Sequence, residues 1–383
     1  MNNLFNTELN YRELISKHGS PLLILDKATV RFQYKELARS LPNVTLHYAL
    51  KPLPNKDVVA SLIEEGASFD LASRGEIDLV RSLNINPMKC IHTHPIKKDQ
   101  EIKYSLEYGC NTFVVDNAQE AKKFIPYKDE VKLLIRVSFP NPETPVDLSK
   151  KFGVLPKDCL ELLKLTKSLG LNIHGLSFHV GSQVPNANRH VEAINECAGI
   201  IKAAAKENGI ELNVLDIGGG FPVDYEKAEA TNIFEFCAPI REALKQIPAD
   251  IKIIAEPGRF LSAPAMINIC TVVGKAERFE KPWYYLDDGV YCSYSGQIFD
   301  HVIYPKFTPY VDGPKQESVL AGPTCDSIDI IAENIELPEL DLGDIVVGKM
   351  MGAYTISTAT EFNFINKTDI LVIDTERDPE YQI

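Results

Sequence analysis

A lysine that ends an apolar run, a triple glycine and a Glu-Pro-Gly-Arg turn are the places in this 383-residue chain where residue type and spacing could carry chemistry. Lys51 closes His-Tyr-Ala-Leu-Lys and is followed by Pro52. A lysine leaving a buried strand loses charge by desolvation, which frees its amine for a Schiff base. Taken alone, the same residue reads far more readily as a solvated strand end. Asp216-Ile217-Gly218-Gly219-Gly220-Phe221-Pro222 sets three glycines after a buried run. Unobstructed backbone N–H groups in such a turn form a nest for phosphate, although a tight turn needing positive φ would use the same residues. The spacing is not that of a dinucleotide fingerprint or a Walker loop. Glu256-Pro257-Gly258-Arg259 offers a carboxylate and a guanidinium suited to a ring nitrogen and a phosphate, or else a surface pair worth under ~1 kcal/mol. His179 and Ser182 add an imidazole and a hydroxyl beside small residues. Farther along, Gly322–Asp329 (GPTCDSID) joins a thiol to carboxylates, and Gly352–Thr355 (GAYT) presents a phenol. His92 and His94 lack any HExxH or paired-Cys context, so no metal is expected.

Something must bring these scattered residues together. From residue 27 to 265 short β-rich runs alternate with helical patterns, the mark of a parallel sheet. Eight runs are expected as strands: Val44–Leu50, Ser68–Leu71, Lys89–Thr93, Thr112–Val115, Lys132–Val137, Ile173–Val180, Asn213–Ile217 and Lys252–Ala255. Helices are expected over Asn55–Glu65, Gly75–Ser82, Lys157–Leu169 and Val191–Asn208, the last stopping at Gly209. Eight strand–helix units close naturally as a (β/α)8 barrel, with a doubly wound open sheet as the alternative. In a barrel, chemistry sits on the C-terminal rim, where Lys51, His94, His179, Gly218–Gly220 and Glu256 fall. Residues 266–383 change texture: Ile267–Val273, Trp283–Leu286, Ser318–Leu320, Asp344–Val347 and Thr368–Ile373 predict a mostly antiparallel β domain, joined by residues 1–26 through Pro21–Leu25.

The net charge of -13 argues against nucleic acid or an anionic membrane as partner. No apolar run reaches spanning length, and Met1–Asn10 does not read as a leader. Eight cysteines scattered singly read as reduced thiols, so a cytoplasmic location is expected.

In order along the chain, HYALK, FDLAS, SFHVGS, DIGGGFP, EPGR, DDGVY, GPTCDSID and MGAYT make this sequence resemble the fold-type III pyridoxal-phosphate decarboxylases. Within that family it is most similar to the ornithine decarboxylases and their bacterial lysine/ornithine relatives. The resemblance implies an alanine-racemase-like barrel with a β domain, and pyridoxal 5'-phosphate as cofactor. By the same resemblance, Lys51 carries the cofactor, His179 stacks on its ring and Glu256 meets the ring nitrogen. Ser182, Gly220, Gly258, Arg259 and Tyr354 are implied for the phosphate, and Asp70 and Arg136 for support of cofactor and lysine. Cys325 is implied as the group that reprotonates Cα, and Asp300 and Asp326 as the acidic pair for the distal ammonium. A head-to-tail homodimer is implied too, with Cys325 and Asp326 supplied by the partner.

The implied reaction is decarboxylation of a basic amino acid, L-ornithine to putrescine, with lysine to cadaverine as a further substrate, in polyamine synthesis. The runner-up, meso-diaminopimelate decarboxylase, has CESGD where this chain has CDSID. Arginine decarboxylation, racemisation and a catalytically silent regulatory homologue are weaker readings, the last because Lys51, Arg259 and Cys325 are all retained. Two departures bear on side-chain length: Phe299 stands where ornithine decarboxylases carry tyrosine, and His94 where asparagine is usual. The C-terminal extension of animal forms has no counterpart in this sequence.

Overall fold

A computed structural model describes residues 9–140, 148–226 and 232–381. Of Met1–Asn10, only the last two residues are therefore described. The chain divides into two compact units, one of Gln33–Pro222 with Thr231–Gly258, the other of Met1–Phe32, Val223–Ala230 and Arg259–Ile383.

The first described strand, β1 (Leu22–Asp26), is fully buried and belongs to the second unit. The eight runs expected as parallel strands follow as β2 (Val44–Ala49), β3 (Ser68–Leu71), β4 (Cys90–His92), β5 (Thr112–Val115), β6 (Lys132–Val137), β7 (Ile173–Phe178), β8 (Val214–Asp216) and β9 (Lys252–Ala255). Each pairs in parallel with the next, and β9 pairs with β2, so the sheet closes as the expected barrel. Closure removes both edges and leaves no unpaired row of backbone groups. Inside, Ile91, Val114, Leu134, Val214 and Ile254 form one buried cluster contributed by five strands. At about 1.5–3 kcal/mol for each fully buried aliphatic side chain, such layers hold the barrel shut.

The helices start where the chain supplies caps. Asn55 accepts from Asp57 N and Val58 N ahead of Lys56–Glu64, and Ser73 accepts from Glu76 N ahead of Arg74–Ser82. Pro156 opens Pro156–Ser168 at a position where its missing N–H costs nothing. Gly209 ends Asn188–Asn208 in the left-handed region at φ 57°.

The second unit is built on β10 (Met266–Arg278), a 13-residue strand, with β11 (Lys281–Leu286), β12 (Lys306–Phe307), β13 (Gln316–Ala321), β14 (Ile330–Leu337), β15 (Ile345–Gly348) and β16 (Asp369–Ile373). The sheet runs β12-β15-β10-β11-β13-β14, and β1 lies between β10 and β16. Most pairings are antiparallel, as expected, but β1 with β16 and β11 with β13 are parallel. Strand β14 escapes the sequence pattern because its burial does not alternate regularly. Leu22, Ile24, Ile267, Ile269, Ile345, Val347 and Ile373 form a core of this unit with Leu14 from helix Tyr11–His18.

Candidate active site

Parallel strands deliver their C-terminal ends to one rim, and the barrel unit gathers most of the singled-out residues there. Lys51 follows β2 and Asp70 sits on β3; Lys51 Nζ lies 3.2 Å from Asp70 Oδ2. The lysine side chain keeps 40% of its exposure while the carboxylate keeps 2%, so a fixed, buried anion holds a reachable amine. Thr93, one residue beyond β4, donates its hydroxyl to the other Asp70 oxygen. A second carboxyl, Glu76, accepts from Ala72 N at 2.5 Å. Burial pushes it up to about 7, and the charge of Asp70 adds to the rise.

His179 leaves β7. Its Nδ1 accepts from Gly181 N at 3.1 Å, and burial, with Arg136 and Lys51 nearby, holds its pKa well below the usual histidine value. The ring is therefore neutral near pH 7. Arg136, on β6, lies among the carboxyls of Glu256, Asp116, Asp216 and Asp70, with its guanidinium 5.5 Å from the Phe152 ring centroid. Phe152 in turn meets His94 edge-on at 5.6 Å.

The glycine turn after β8 admits no side chain. Gly218 and Gly220 have φ of 66° and 94°. A Cβ on Gly219 would lie 2.7 Å from the Glu256 carbonyl oxygen and 3.2 Å from His179 Nε2, and one on Gly220 2.6 Å from the Gly181 carbonyl. Gly258 is equally tight, since its Cβ would come within 2.7 Å of Pro52 Cγ. The turn is braced by Asp216, whose Oδ1 accepts from Gly218 N at 2.9 Å, and by His190, 3.0 Å from Gly219 O. Ser182, half-buried, follows His179 by three residues. Glu256 is 7% exposed, and burial together with the Asp216 charge raises its pKa well above the carboxylate range.

In the β-rich unit, Arg259 opens the short helix Arg259–Ser262. Its Nη1 donates to Tyr225 Oη at 2.9 Å, its Nη2 pairs with Asp300 at 2.5 Å, and its guanidinium lies 4.8 Å from the Tyr354 ring centroid. Arg259, Tyr354 and Asp300, expected in two different roles, thus form one cluster. Asp300 ends the helix Gly296–Phe299, and Phe299 is exposed. Cys325 and Asp326 lie elsewhere in the unit. Cys325 is exposed, with its N–H on Asn363 Oδ1 at 3.1 Å. Asp326 accepts from Tyr291 Oη at 2.5 Å and from Ile328 N at 3.2 Å, which holds its pKa below the usual value. Their loop is pinned by buried Asp329, which accepts from Val290 N at 2.8 Å and Thr324 N at 2.9 Å.

Thr93, Asp216, Tyr291 and Asp329 received no role from the sequence. Asp216, Tyr291 and Asp329 stand inside motifs that were read there (DIGGGFP, DDGVY and GPTCDSID), but only the fold reveals which groups their side chains meet.

The barrel rim offers a reachable amine, a neutral imidazole, a buried carboxyl and a side-chain-free turn rich in N–H groups. This set fits a flat ring bearing an aldehyde, a ring nitrogen and a phosphate. Comparison with known proteins agrees. Residues 27–263 match the family described as pyridoxal-dependent decarboxylase, pyridoxal binding domain. Over its full length the chain is 32% identical to the lysine/ornithine decarboxylase of Selenomonas ruminantium, covering 96% of that protein. It is 34% identical to antizyme inhibitor 2 of Xenopus laevis, over 91% of this chain and 79% of that one. The lysine/ornithine decarboxylase of Vibrio vulnificus, solved in complex with cadaverine, is 50% identical with a TM-score of 0.91, over 94% of this chain and 97% of that one. The chain belongs to the fold-type III pyridoxal-dependent decarboxylases, amino-acid carboxy-lyases whose cofactor is pyridoxal phosphate.

Proposed function

We propose that the protein decarboxylates a basic amino acid, L-ornithine to putrescine and L-lysine to cadaverine. The observation that carries this reading is Asp326: an ionised carboxylate, fixed by a phenol and a backbone N–H, next to an exposed thiol. A distal ammonium needs such a partner, because an unpaired charge taken out of water costs several kcal/mol. The names of the relatives from Selenomonas and Vibrio support the same substrates.

When bound, pyridoxal phosphate supplies an aldehyde for the substrate amine and a protonated ring that accepts the electrons left by departing carbon dioxide. The chain does the rest. Lys51 would hold the cofactor through its amine, whose Nζ is kept in place by Asp70, itself braced by Thr93. His179, being neutral, would stack on the cofactor ring without adding charge. Glu256 keeps a proton at the ring nitrogen. Ser182, Gly220 and Gly258 leave room and donors for the phosphate, a group to which we also assign Arg259 and Tyr354. In a head-to-tail homodimer the partner subunit's Cys325 would return a proton to Cα, and Asp300 with the partner subunit's Asp326 would hold the distal ammonium.

We further propose that the enzyme is a cytoplasmic homodimer. Ile328, Phe362 and Phe364, apolar residues near Cys325 in sequence or through Asn363, are 52%, 40% and 99% exposed, which a second copy would cover. Among the described residues, no helix is long and apolar enough to cross a membrane.

Carbon dioxide release measured with ornithine, lysine, arginine and diaminopimelate tests the substrate. Inactivity on both ornithine and lysine refutes the assignment, and activity on diaminopimelate alone moves the chain to that branch. The visible absorbance of the lysine-linked cofactor, lost in Lys51→Ala, tests the role of Lys51. A colourless wild type would favour a silent homologue.

A further inference from the structure

Strands β8 and β9 pair in parallel, Asp216 opposite Ile254, and the ladder continues past them: Ile217 N donates to Ile254 O at 2.9 Å and Glu256 N to Gly218 O at 2.7 Å. This register brings two carboxyl groups, Asp216 and Glu256, to the same stretch of rim, where they are 0% and 7% exposed. Asp216 is well supplied as an acceptor, from Gly218 N at 2.9 Å and from Ser177 Oγ at 3.3 Å. Glu256 Oε1, in contrast, is buried and receives no hydrogen bond. The two carboxyls are near enough that the charge of Asp216 adds to the rise in the Glu256 pKa. Like charges this close in a buried site do not both ionise, and one hydrogen between the two carboxyls relieves the repulsion.

We propose that Asp216 is a positioning residue that shares a single proton with Glu256, so that the empty barrel already carries the proton its cofactor's ring nitrogen requires. The inference rests on the assignment of Glu256 to that nitrogen. Asp216, held by two donors and with lone pairs left for a third, is the anion, and Glu256 is the acid that donates to it. The neighbouring groups leave that proton in place. Lys51 is engaged with Asp70 at 3.2 Å, and Arg136 is shared among Glu256, Asp116, Asp216 and Asp70. Asp116 itself accepts from Gly153 N at 2.9 Å, and His179 is neutral. Two cations face four carboxyls, and the proton reduces the imbalance. Burial first, with the charge of Asp70 adding to it and the contact with Glu256 opposing it, lifts Asp216 to about 6, while burial and the charge of Asp216 lift Glu256 well above its usual range. The transfer balances as a proton alone: the Glu256 O–H bond breaks, an N–H bond forms on the ring, and Glu256 is left anionic against the pyridinium. Asp216 stays charged, keeps Gly218 in its turn and favours the protonated ring.

Infrared difference spectra of the full-length chain, stripped of and then reloaded with pyridoxal phosphate, read this proton directly. The unloaded wild type at neutral pH should show a carboxylic-acid C=O band that disappears on loading, as the 15N signal of the labelled ring moves to its protonated position. The band should be missing from unloaded Glu256→Gln and should move in frequency in unloaded Asp216→Asn, where Glu256 loses its acceptor; both are near-isosteric changes. In loaded Asp216→Asn the ring nitrogen should lose its proton about one pH unit lower than in wild type, with Asp216→Glu recovering part of the shift. A band absent from the unloaded wild type, surviving loading, present in Glu256→Gln, or unmoved in Asp216→Asn would overturn the proposal. So would an unchanged ring titration in Asp216→Asn. The wild-type comparison needs no variant to fold. Visible absorbance at Lys51 is recorded in every sample: its absence from the wild type overturns the functional reading along with this one, whereas normal absorbance with the wrong proton signal overturns this one alone.

Discussion

Replacing Gly219 by alanine adds one methyl group at the point where the glycine turn meets both Glu256 and His179. The added Cβ would sit 2.7 Å from the Glu256 backbone carbonyl and 3.2 Å from His179 Nε2. The first of these partners is backbone, tied through β9 into a closed barrel, and has no rotamer with which to retreat. Overpacking of this kind costs about 1–3 kcal/mol. The residues that must move are those assigned to the ring and phosphate, so the cost falls on cofactor binding as well as on folding. If all of it appears in binding, the affinity for pyridoxal phosphate drops about 5- to 150-fold. Titrating the stripped enzyme while following the visible absorbance gives the constant, and thermal unfolding of the same samples gives the share borne by stability. Gly199, mid-helix in Asn188–Asn208 with nothing within 4 Å of its Cβ, is the control. There alanine should stabilise by about 0.5–1 kcal/mol and leave cofactor affinity unchanged. A Gly219→Ala enzyme with wild-type affinity and wild-type stability would refute the close approach of turn, carboxyl-bearing segment and imidazole.

Other substitutions probe each unit separately. Glu76, at about 7, has a folded pKa above its unfolded value of 4.5, so it favours the folded state most below pH 4.5. That contribution is lost as pH rises from there through about 7, and Glu76→Gln should flatten unfolding-temperature curves over this window. Asp329→Ala strips two backbone N–H groups of their acceptor, at about 1–3 kcal/mol each. It should lower the unfolding temperature and decarboxylation while the absorbance at Lys51, in the other unit, persists. Tyr291→Phe removes the phenol from Asp326. It should raise KM for ornithine or lysine several-fold with unchanged cofactor absorbance, and an unchanged KM would separate Asp326 from substrate recognition.

Much of this protein was legible in the chain itself. The eight barrel runs stand out because strands buried on both faces must be apolar and short, and because several are followed by helices with readable caps, as at Asn55 and Ser73. The motifs at their ends, from HYALK to EPGR, declare the family, since each occupies a rim position where the backbone permits few residues. The glycine turn is the clearest case, because two of its three members need positive φ and all three would collide if given a Cβ. What sequence could not decide is which side chains meet. Asp216 and Glu256 are forty residues apart and become one acid pair only because β8 and β9 are neighbours in register. Arg259 and Asp300, read separately as phosphate and substrate residues, are a 2.5 Å ion pair. The parallel pairings of β1 with β16 and β11 with β13 escaped the pattern for the same reason. Local propensity and periodicity fix which segments are strands and where turns must fall. Partnership across long stretches of chain is settled by closure of the barrel and burial of the sheet, and it is there that a carboxyl becomes an acid and a lysine gains its counter-ion.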